Sequence, residues 1–334
     1  MVTSKHLINW FLFTLLLLPL QTNAEDLFLG PSHLRVNSNG DLVAAPPPAQ
    51  PAFDNLWAYH LYPTAKKLTG QGVIVAVADS GISSHPEFNG KNIQVQDFTL
   101  SANIADMKGH GTGIVGIIGA KGVSVPGLAP NAQIVVYKID DGGNLIGPQA
   151  MTSAINTLLA YNEAHPNQKI SVLNLSYGFH GGENAALTDA IARAYKSGVV
   201  VVCSAGNTGL PGVFYPANLG YTIAVGALAA DKTSAYANSS YGPEVDFIAP
   251  GDRVYVPSND GGYNFMNGTS IATGFVSAAA ALAVEGLKRK LGRYPTFDEV
   301  KQSLITASAQ VPGIAQPKQG YGFINIKRLE EQFN

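Results

Sequence analysis

Short apolar runs rich in valine and isoleucine alternate along the chain with stretches of helical periodicity. Near-continuous apolar strands are typical of a parallel sheet whose two faces are both covered by helices. The sequence therefore predicts an α/β fold: a single domain with a mostly parallel β-sheet and helices on both faces. The predicted strands are residues 73–78, 134–138, 171–176, 199–205 and 222–227, and the predicted helices are 149–163, 184–197 and the Ala-rich segment after Ser270.

The N-terminal region differs from this alternating pattern. Residues 1–24 combine Lys5, an apolar run over 7–20 and small residues at Thr22 and Ala24, which is the pattern of a secretory signal peptide. The run is short for a membrane span, so an uncleaved anchor is the less favoured alternative. Residues 25–52 end in AAPPPAQPA, and we expect a short Pro-rich linker or a vestigial pro-segment there. Residues 53–334 would form the folded domain.

Composition narrows the function classes. The 334 residues contain 21 Lys+Arg and 23 Asp+Glu, and a net charge of −2 offers no attraction for nucleic acid or for an anionic membrane. The 46% of hydrophobic and 13% of charged residues indicate a large core rather than disorder. A single cysteine, Cys203, excludes an intrachain disulfide, and its apolar strand indicates a buried hydrophobe. Export without disulfides predicts a secreted or periplasmic protein of bacterial type, with no stable membrane span after signal removal.

A glycine motif at residues 111–116 has two interpretations. GTGIVG matches the dinucleotide-binding pattern GxGxxG, and Asp140 follows at the end of a predicted strand, where a ribose-binding acid would lie. That pattern needs a strand leading into its first glycine, but the preceding residues, ADMKGH, are polar and non-periodic. We therefore favour a glycine-rich helix start packed against the sheet, and we predict no cofactor.

Three polar residues lie where predicted elements begin or end. Asp79 ends the strand VAVAD, His110 stands between glycines at a helix start, and Ser270 precedes a long helix whose N-terminus favours negative charge. Each residue alone has a structural explanation, as a turn cap, a structural imidazole or a helix cap. Together, a carboxylate, an imidazole and a helix-start hydroxyl are the groups that activate a serine nucleophile.

The blocks that contain these residues, VAVADSGI, GHGTGIVGIIGA and NGTSIATGFVSAAAAL, resemble the signature blocks of the subtilisin-like serine peptidases, or subtilases. The resemblance covers Phe53 to about Glu330 and includes SAGNTG, NLSYG, FYPA and GYGFINI. It implies a subtilisin-like three-layer architecture and a secreted serine endopeptidase. In the triad template known for this family, Ser270 would attack a peptide carbonyl, His110 would transfer the proton and Asp79 would orient the imidazole.

The same resemblance implies further site residues. Asn207, with the backbone N–H of Ser270, would bind the oxyanion of the tetrahedral intermediate. The edge segment that follows the predicted strand 171–176 would pair as a strand with an extended peptide or protein substrate. The phenyl group of Phe214 would favour small or medium substrate side chains before the scissile bond. These substrate-binding candidates are Ser176, Tyr177 and Gly178 on the edge, and Gly206 and Phe214 at the pocket.

Three positions depart from the family pattern. Val115 replaces an alanine, and we expect only local repacking around it. The loop of residues 120–127 is shorter than the calcium-binding loop of many relatives and has no carboxylate, so we predict no metal. Gly274 stands where the family has proline, and a softer helix start would let amines compete with water for the acyl-enzyme. Two alternatives therefore stay open: a subtilase-fold acyl transferase or peptide ligase, and a catalytically silent peptide-binding protein. The oligomeric state stays open too.

Overall fold

The structure is a computed structural model that describes residues 34–36, 42–44, 54–62, 67–99, 101, 103–141 and 147–334. The chain divides into two units, Met1–Phe53 and Asp54–Asn334. In the first unit, strands β1 (Leu34–Val36) and β2 (Leu42–Ala44) pair antiparallel, a hairpin within the segment for which we expected a linker. The predicted signal peptide, residues 1–24, lies outside the described residues.

The second unit is built on a seven-stranded sheet in which every neighbouring pair is parallel. Its spatial order is β4-β5-β3-β6-β7-β8-β9. The predicted parallel sheet is confirmed, and each of the five predicted strands matches an observed one to within one residue at either end. The strands are β3 (Ile74–Asp79), β4 (Gln94–Asp97), β5 (Gln133–Lys138), β6 (Ile170–Leu175), β7 (Val200–Ser204), β8 (Ile223–Leu228) and β9 (Val245–Pro250).

Two strands of the sheet, β4 and β9, were not predicted because they lack the continuous apolar run of the other strands. β4 is an edge strand whose residues alternate between exposed and half-buried positions, so it carries little hydrophobic signal. β9 is buried throughout but contains Asp246. The Asp246 carboxylate lies 2.8 Å from Lys301 Nζ and accepts a hydrogen bond from the Ala224 N–H. These partners allow a polar residue in a core strand.

Helices cover both faces of the sheet, as predicted. Helices α2 (His110–Gly119) and α5 (Thr269–Leu291) pack together on one face, and α3 (Pro148–Ala164) and α4 (Ala185–Lys196) pack on the other. Among the described residues, α5 alone is long and apolar enough to cross a membrane, but most of it is buried as the central helix of the domain. The other elements of the described residues are α1 (Trp57–His60), a 3₁₀ helix (Pro86–Phe88), α6 (Phe297–Ala307), α7 (Gln316–Gln319), α8 (Ile326–Glu331), the hairpin of β10 (Val254–Pro257) and β11 (Tyr263–Met266), and the pair β12 (Ser308–Ala309) and β13 (Phe323–Ile324).

The glycines of GTGIVG allow α2 to approach its neighbours closely. A Cβ atom at Gly111 would lie 2.2 Å from the Gly81 carbonyl oxygen, and one at Gly116 would lie 2.4 Å from Pro257 Cδ. The strand before this motif, β4, ends at Asp97, so a loop rather than a strand leads into it. Both observations support close helix packing as the role of this motif, rather than a nucleotide-binding turn.

A buried carboxylate, Glu87, holds the loop of residues 121–127. Four consecutive backbone N–H groups, those of Gly122, Val123, Ser124 and Val125, donate to it over 2.6–3.1 Å, and the Tyr263 hydroxyl donates over 2.9 Å. Calcium needs oxygen ligands, whereas these N–H groups converge on an anion. The loop therefore does not fit a calcium ion, and the described residues contain no group of three or more His, Cys, Asp or Glu side chains that could hold a metal.

Replacement of Glu87 by glutamine should destabilise the protein at neutral pH. Burial opposes ionisation of Glu87, but the hydrogen bonds from the loop N–H groups and Tyr263 outweigh it and hold the pKa of this carboxyl below its ordinary value. A lowered pKa adds stability above the unfolded-state pKa, and that stability is lost as the pH falls through the folded-state pKa. We expect Glu87→Gln to reduce the free energy of unfolding by about 1–3 kcal/mol at pH 7, because the amide N–H₂ faces two donors.

Urea unfolding at pH 7 and pH 3 measures this effect. The difference between wild type and Glu87→Gln should shrink as the pH falls from 7 toward the lowered pKa of the wild-type carboxyl, where this group loses its charge. An equal difference at both pH values would show that the charge of Glu87 contributes nothing. Calcium and EDTA should leave the midpoint of wild type unchanged.

Candidate active site

The carboxyl ends of three neighbouring strands meet at one cleft of about 400 Å³. β3 ends at Asp79, β6 leads into the segment of Ser176, and β7 leads into Asn207. Ligands of open parallel sheets bind at this edge, near the point where the strand order reverses. Helices α2 and α5 begin here and add His110 and Ser270. The cleft is lined by Lys108, His110, Ser176, Tyr177, Gly178, Ser204, Gly206, Asn207, Thr208, Phe214 and Ser270.

Asp79 lies beneath this cleft and bonds to His110. His110 Nδ1 is 2.7 Å from Asp79 Oδ1, and the same oxygen accepts the backbone N–H of Ser80 over 2.8 Å. Asp79 is fully buried, whereas a quarter of the His110 side chain is exposed. The other carboxylate oxygen, Oδ2, is buried and has no hydrogen-bond partner among the described residues. The bond at Nδ1 leaves Nε2 as the ring nitrogen that can face the cleft.

The charges around His110 favour its protonated form. Burial favours the neutral imidazole, but the nearby Asp79 carboxylate, with a smaller effect of Asp106, outweighs it and raises the pKa of His110 above its ordinary value. The Lys108 ammonium acts in the opposite direction. A base with a raised pKa is neutral only above that pKa, so any reaction in which His110 accepts a proton should accelerate with pH above the ordinary value of about 6.5.

Ser270 and Ser176 are joined by two reciprocal hydrogen bonds. The Ser270 hydroxyl donates to the Ser176 carbonyl oxygen over 3.1 Å, and the Ser176 hydroxyl donates to the Ser270 carbonyl oxygen over 3.0 Å. Asn174 Nδ2 donates to the Ser176 hydroxyl over 2.9 Å. These contacts tie the first turn of α5 to the end of β6. In this state the Ser270 hydroxyl faces the edge segment.

Asn207 is oriented by the residue before Ser270. Its Oδ1 accepts the Thr269 backbone N–H over 2.9 Å and the Thr269 hydroxyl over 3.0 Å. With the oxygen held in this way, the amide Nδ2–H₂ group is the end that can donate toward the cleft. Gly268 has φ 124°, and a Cβ atom there would lie 3.2 Å from Asn207 Nδ2. The glycine of NGTS is therefore required by both its backbone angle and this close approach.

Phe214 lies between the two segments that border the candidate side-chain pocket. A Cβ atom at Gly206 would lie 2.5 Å from the Phe214 ring, and one at Gly178 would lie 3.2 Å from Phe214 Cβ. The His180 ring meets the phenyl group edge-on, with 5.4 Å between centroids. The phenyl group thus occupies the space beside the two glycines and lines the same cleft as Ser270.

The sequence model of the subtilase family, Peptidase_S8, matches residues 70–323. The chain belongs to the subtilase family. It is 36% identical to subtilisin BL of Lederbergia lenta over 217 residues, which cover 64% of this chain and 77% of that protein. It is 31% identical to the major intracellular serine protease of Bacillus subtilis (strain 168) over 282 residues, which cover 80% and 85% of the two chains.

Other matches are more partial or more distant. This subtilase is 36% identical to an alkaline protease of Alkalihalobacillus alcalophilus over 64% of its own length, but it spans only 54% of that protease. A solved structure of a mutant of the protease domain of PatA superposes with a TM-score of 0.68 at 26% identity. The superposition covers 80% of this chain and 98% of that domain, so the three-layer α/β architecture is shared across nearly the whole of the domain.

The structure of this subtilase adds three polar residues to the site that the sequence analysis did not single out. Ser80 donates its backbone N–H to Asp79, Thr269 holds Asn207, and Asp106 contacts both the Ser80 hydroxyl and the start of α2. Their positions beside the motifs are visible in the sequence, but their partners are not. The available signal was a polar residue directly beside Asp79 and Ser270, namely Ser80 and Thr269, and a carboxylate four residues before His110.

Two residues that the sequence analysis interpreted, Cys203 and Gly274, do not line the cleft. Cys203 is fully buried in β7, and burial raises the pKa of its thiol, so the interpretation as a small hydrophobe is confirmed. Gly274 lies within an unbroken α5, and a Cβ atom there would be 3.3 Å from Ile117 Cγ2. Space at residue 274 is thus filled by α2. The expected opening beside Ser270 is not observed in this subtilase.

Proposed function

We propose that the chain is a serine endopeptidase that hydrolyses peptide bonds through an acyl-enzyme on Ser270, with His110 as base and Asp79 as its orienting carboxylate. The observation that carries this proposal is the 2.7 Å contact between Asp79 and His110 beneath a cleft that Ser270 and Asn207 also line. Membership of the subtilase family and relatives named as serine proteases support the same reaction.

Binding of an extended peptide would release the Ser270 hydroxyl. A peptide that pairs with the segment of Ser176, Tyr177 and Gly178 as an added strand donates a backbone N–H to a carbonyl of that edge. The Ser176 carbonyl now accepts the Ser270 hydroxyl, and a substrate N–H would compete for it. Rotation of the Ser270 side chain would then direct its O–H to His110 Nε2, since hydrogen bonds of this kind often form only with substrate present.

Acylation would follow from that arrangement. Ser270 Oγ attacks the peptide carbonyl carbon as its proton passes to His110 Nε2, and the Asp79 carboxylate stabilises the imidazolium. The oxyanion would accept the Ser270 backbone N–H, which lies in the unpaired first turn of α5, and the Asn207 amide N–H. His110 returns the proton to the leaving amine, and water deacylates the serine by the reverse sequence.

The route of the protein in the cell is part of the proposal. The pattern of residues 1–24 supports export, to a secreted or periplasmic location, with an extended peptide or protein as substrate. A relative named as an intracellular protease shows that this family also works without export. N-terminal sequencing of the protein recovered from culture fluid and from cells would distinguish cleavage at Ala24 from an uncleaved anchor.

A labelled fluorophosphonate combined with product sequencing tests the function. We expect rapid labelling of wild type, none of Ser270→Ala, and internal cleavage of a peptide library by wild type alone. Labelling with joined rather than cut peptides would favour the acyl transferase or ligase. The absence of labelling and of products would favour a peptide-binding protein. Either of these results would overturn the proposed hydrolysis.

Phe214 should restrict the side chain before the scissile bond. A large side chain placed beside the phenyl group would overpack the pocket, which typically costs about 1–3 kcal/mol. We expect wild type to cleave after Ala roughly tenfold or more better than after Phe, in matched peptides, and Phe214→Ala to remove that preference. The measurement is kcat/KM on both peptides.

The matched control for Phe214→Ala is Phe265→Ala. Phe265 is a partly exposed phenyl group on β11 that does not line the cleft, so its removal should leave the ratio between the two peptides unchanged. Equal cleavage after Phe and Ala by wild type would contradict the assignment of Phe214.

A further inference from the structure

Asp106 is a second buried carboxylate beside the candidate triad, with only 2% of its surface exposed. It lies in the loop before α2, and its Oδ1 accepts the backbone N–H groups of Lys108 and Gly109 over 3.0 and 2.8 Å. Its Oδ2 accepts the N–H and the hydroxyl of Thr112 over 2.8 and 2.7 Å. One side chain thus fixes the residues on both sides of His110.

Asp106 is also joined to Asp79. The Ser80 hydroxyl lies 2.8 Å from Asp106 Oδ1 and 3.2 Å from Asp79 Oδ1, and its oxygen accepts the Gly111 N–H over 3.0 Å. A hydroxyl carries one proton, and the shorter distance directs it to Asp106. The serine therefore links the orienting carboxylate, the second carboxylate and the first turn of α2.

We propose that Asp106 is a positioning residue, which fixes the start of α2 so that His110 meets Asp79, and whose negative charge supports the imidazolium formed during catalysis. The role rests on the proposed function of His110 as a base. A helix cap alone needs only an oxygen acceptor, which serine or asparagine supplies. A buried carboxylate adds a charge whose desolvation is costly, and here five donors offset that cost.

In the described part of the chain, the other charged or titratable groups near His110 come from three segments. Asp79 at the end of β3 contacts it directly, and Lys108 lies in the same loop as Asp106. Tyr177, after β6, has its ring centroid 5.7 Å from that of His110. The Tyr177 hydroxyl and the Lys108 ammonium both donate to Asp140 Oδ2, over 2.8 and 2.5 Å, which largely balances the charge on that side. Asp79 and Asp106 therefore remain as the negative charges that favour the imidazolium.

Asp106→Asn tests the proposal, because the amide keeps the shape and one acceptor but removes the charge. We expect the rising limb of kcat/KM against pH to move down by roughly half a pH unit to one unit. We also expect kcat on its plateau to fall about tenfold with little change in KM, since a shifted base slows proton transfer rather than binding.

Proton NMR of His110 separates this role from the proposed function. In a Ser270→Ala background, the imidazole should titrate at lower pH when Asp106→Asn is added, whether or not the wild type is a peptidase. If His110 titrates at lower pH in the Asp106→Asn variant while wild type hydrolyses no peptide, the proposed function is refuted and the electrostatic role of Asp106 stays intact. An unchanged titration would overturn that role.

Two control variants complete the test. Glu87→Gln removes another buried carboxylate that accepts backbone N–H groups, so it should lower stability without moving the pH limb or kcat. Ser80→Ala keeps both carboxylates and the bonds from Gly109 and Thr112 to Asp106, but it removes the hydroxyl that accepts the Gly111 N–H. It should lower kcat about threefold with an unchanged pH limb, because only orientation is affected. If Asp106→Asn does not fold, Ser80→Ala becomes the test. A kcat equal to that of wild type in this variant would overturn the link between Asp106 and Asp79 through Ser80. If Asp106→Asn matches Glu87→Gln in kcat and pH limb, Asp106 is only a cap.

Discussion

Alanine at Ser270, at His110, or at both positions should lower kcat/KM on a peptide amide to nearly the same residual level. In the proposed mechanism, Ser270 as nucleophile and His110 as base act as one unit, so once either is lost the other contributes little and the losses do not add. We expect each single change to cost about 10⁶-fold in kcat, a magnitude established for a member of the subtilase family. Initial rates on one chromogenic peptide, at equal concentrations of folded protein, measure the effect.

Asp79 provides the graded control in this series. Asp79→Asn keeps the volume of the buried side chain but would hold His110 in the wrong tautomer, so activity should fall steeply while the fold is retained. Asp246 offers a matched comparison. It is a buried acid on β9, the edge strand four places from β3, and it is paired with Lys301, so Asp246→Asn should leave the chemistry unchanged. A double variant of His110 and Ser270 far less active than either single one would refute their action as a unit.

Much of the fold could be predicted because a strand that is buried on both faces is a nearly continuous run of apolar residues in the sequence. β3, β6, β7 and β8 consist almost wholly of apolar residues, and turn residues bound them closely. β9 left a weaker trace, since Asp246 interrupts its pattern and is compensated by Lys301 from α6. A compensating partner distant in the chain is a feature that a local pattern cannot contain.

The candidate site could be predicted to a similar depth. Asp79, His110, Asn207 and Ser270 each stand at the end or start of an element, and the structure brings them to one edge of the sheet. The groups that hold them could not be predicted in the same way. Thr269 and Asn207 are 62 residues apart in the chain, and Ser80 and Asp106 are 26 apart.

The packing of α5 around Gly274 could not be predicted from the residue type alone. The change from proline to glycine predicts a softer helix start, because proline fixes φ and glycine does not. In the structure the helix is unbroken from Thr269 onward, and Ile117 of α2 leaves little free space at residue 274, since a Cβ atom there would lie 3.3 Å from Ile117 Cγ2. Whether a glycine adds freedom depends on the packing around it, which is set by a different helix.

Removal of the Asn207 amide should lower kcat by about 10²–10³-fold, a magnitude also established within the subtilase family, and should change KM little. The oxyanion that this N–H would bind exists only in the transition state and the intermediate, so the loss falls on the chemical step. Asn207→Leu removes both ends of the amide. Asn207→Asp keeps the oxygen held by Thr269 but replaces the donor with a second oxygen, and repulsion of the oxyanion should make it the less active variant.

Thr269→Val distinguishes the donation by Asn207 from its orientation. This change removes the hydroxyl that contacts Asn207 Oδ1 over 3.0 Å but keeps the Thr269 backbone N–H, which donates to the same oxygen over 2.9 Å. We expect a loss of kcat of only about tenfold, because the amide stays in place but is less firmly held. The kinetic constants of all three variants should be measured on an ester and an amide substrate. A rise in KM at constant kcat would mean that Asn207 binds the ground state, and the oxyanion assignment would then be wrong.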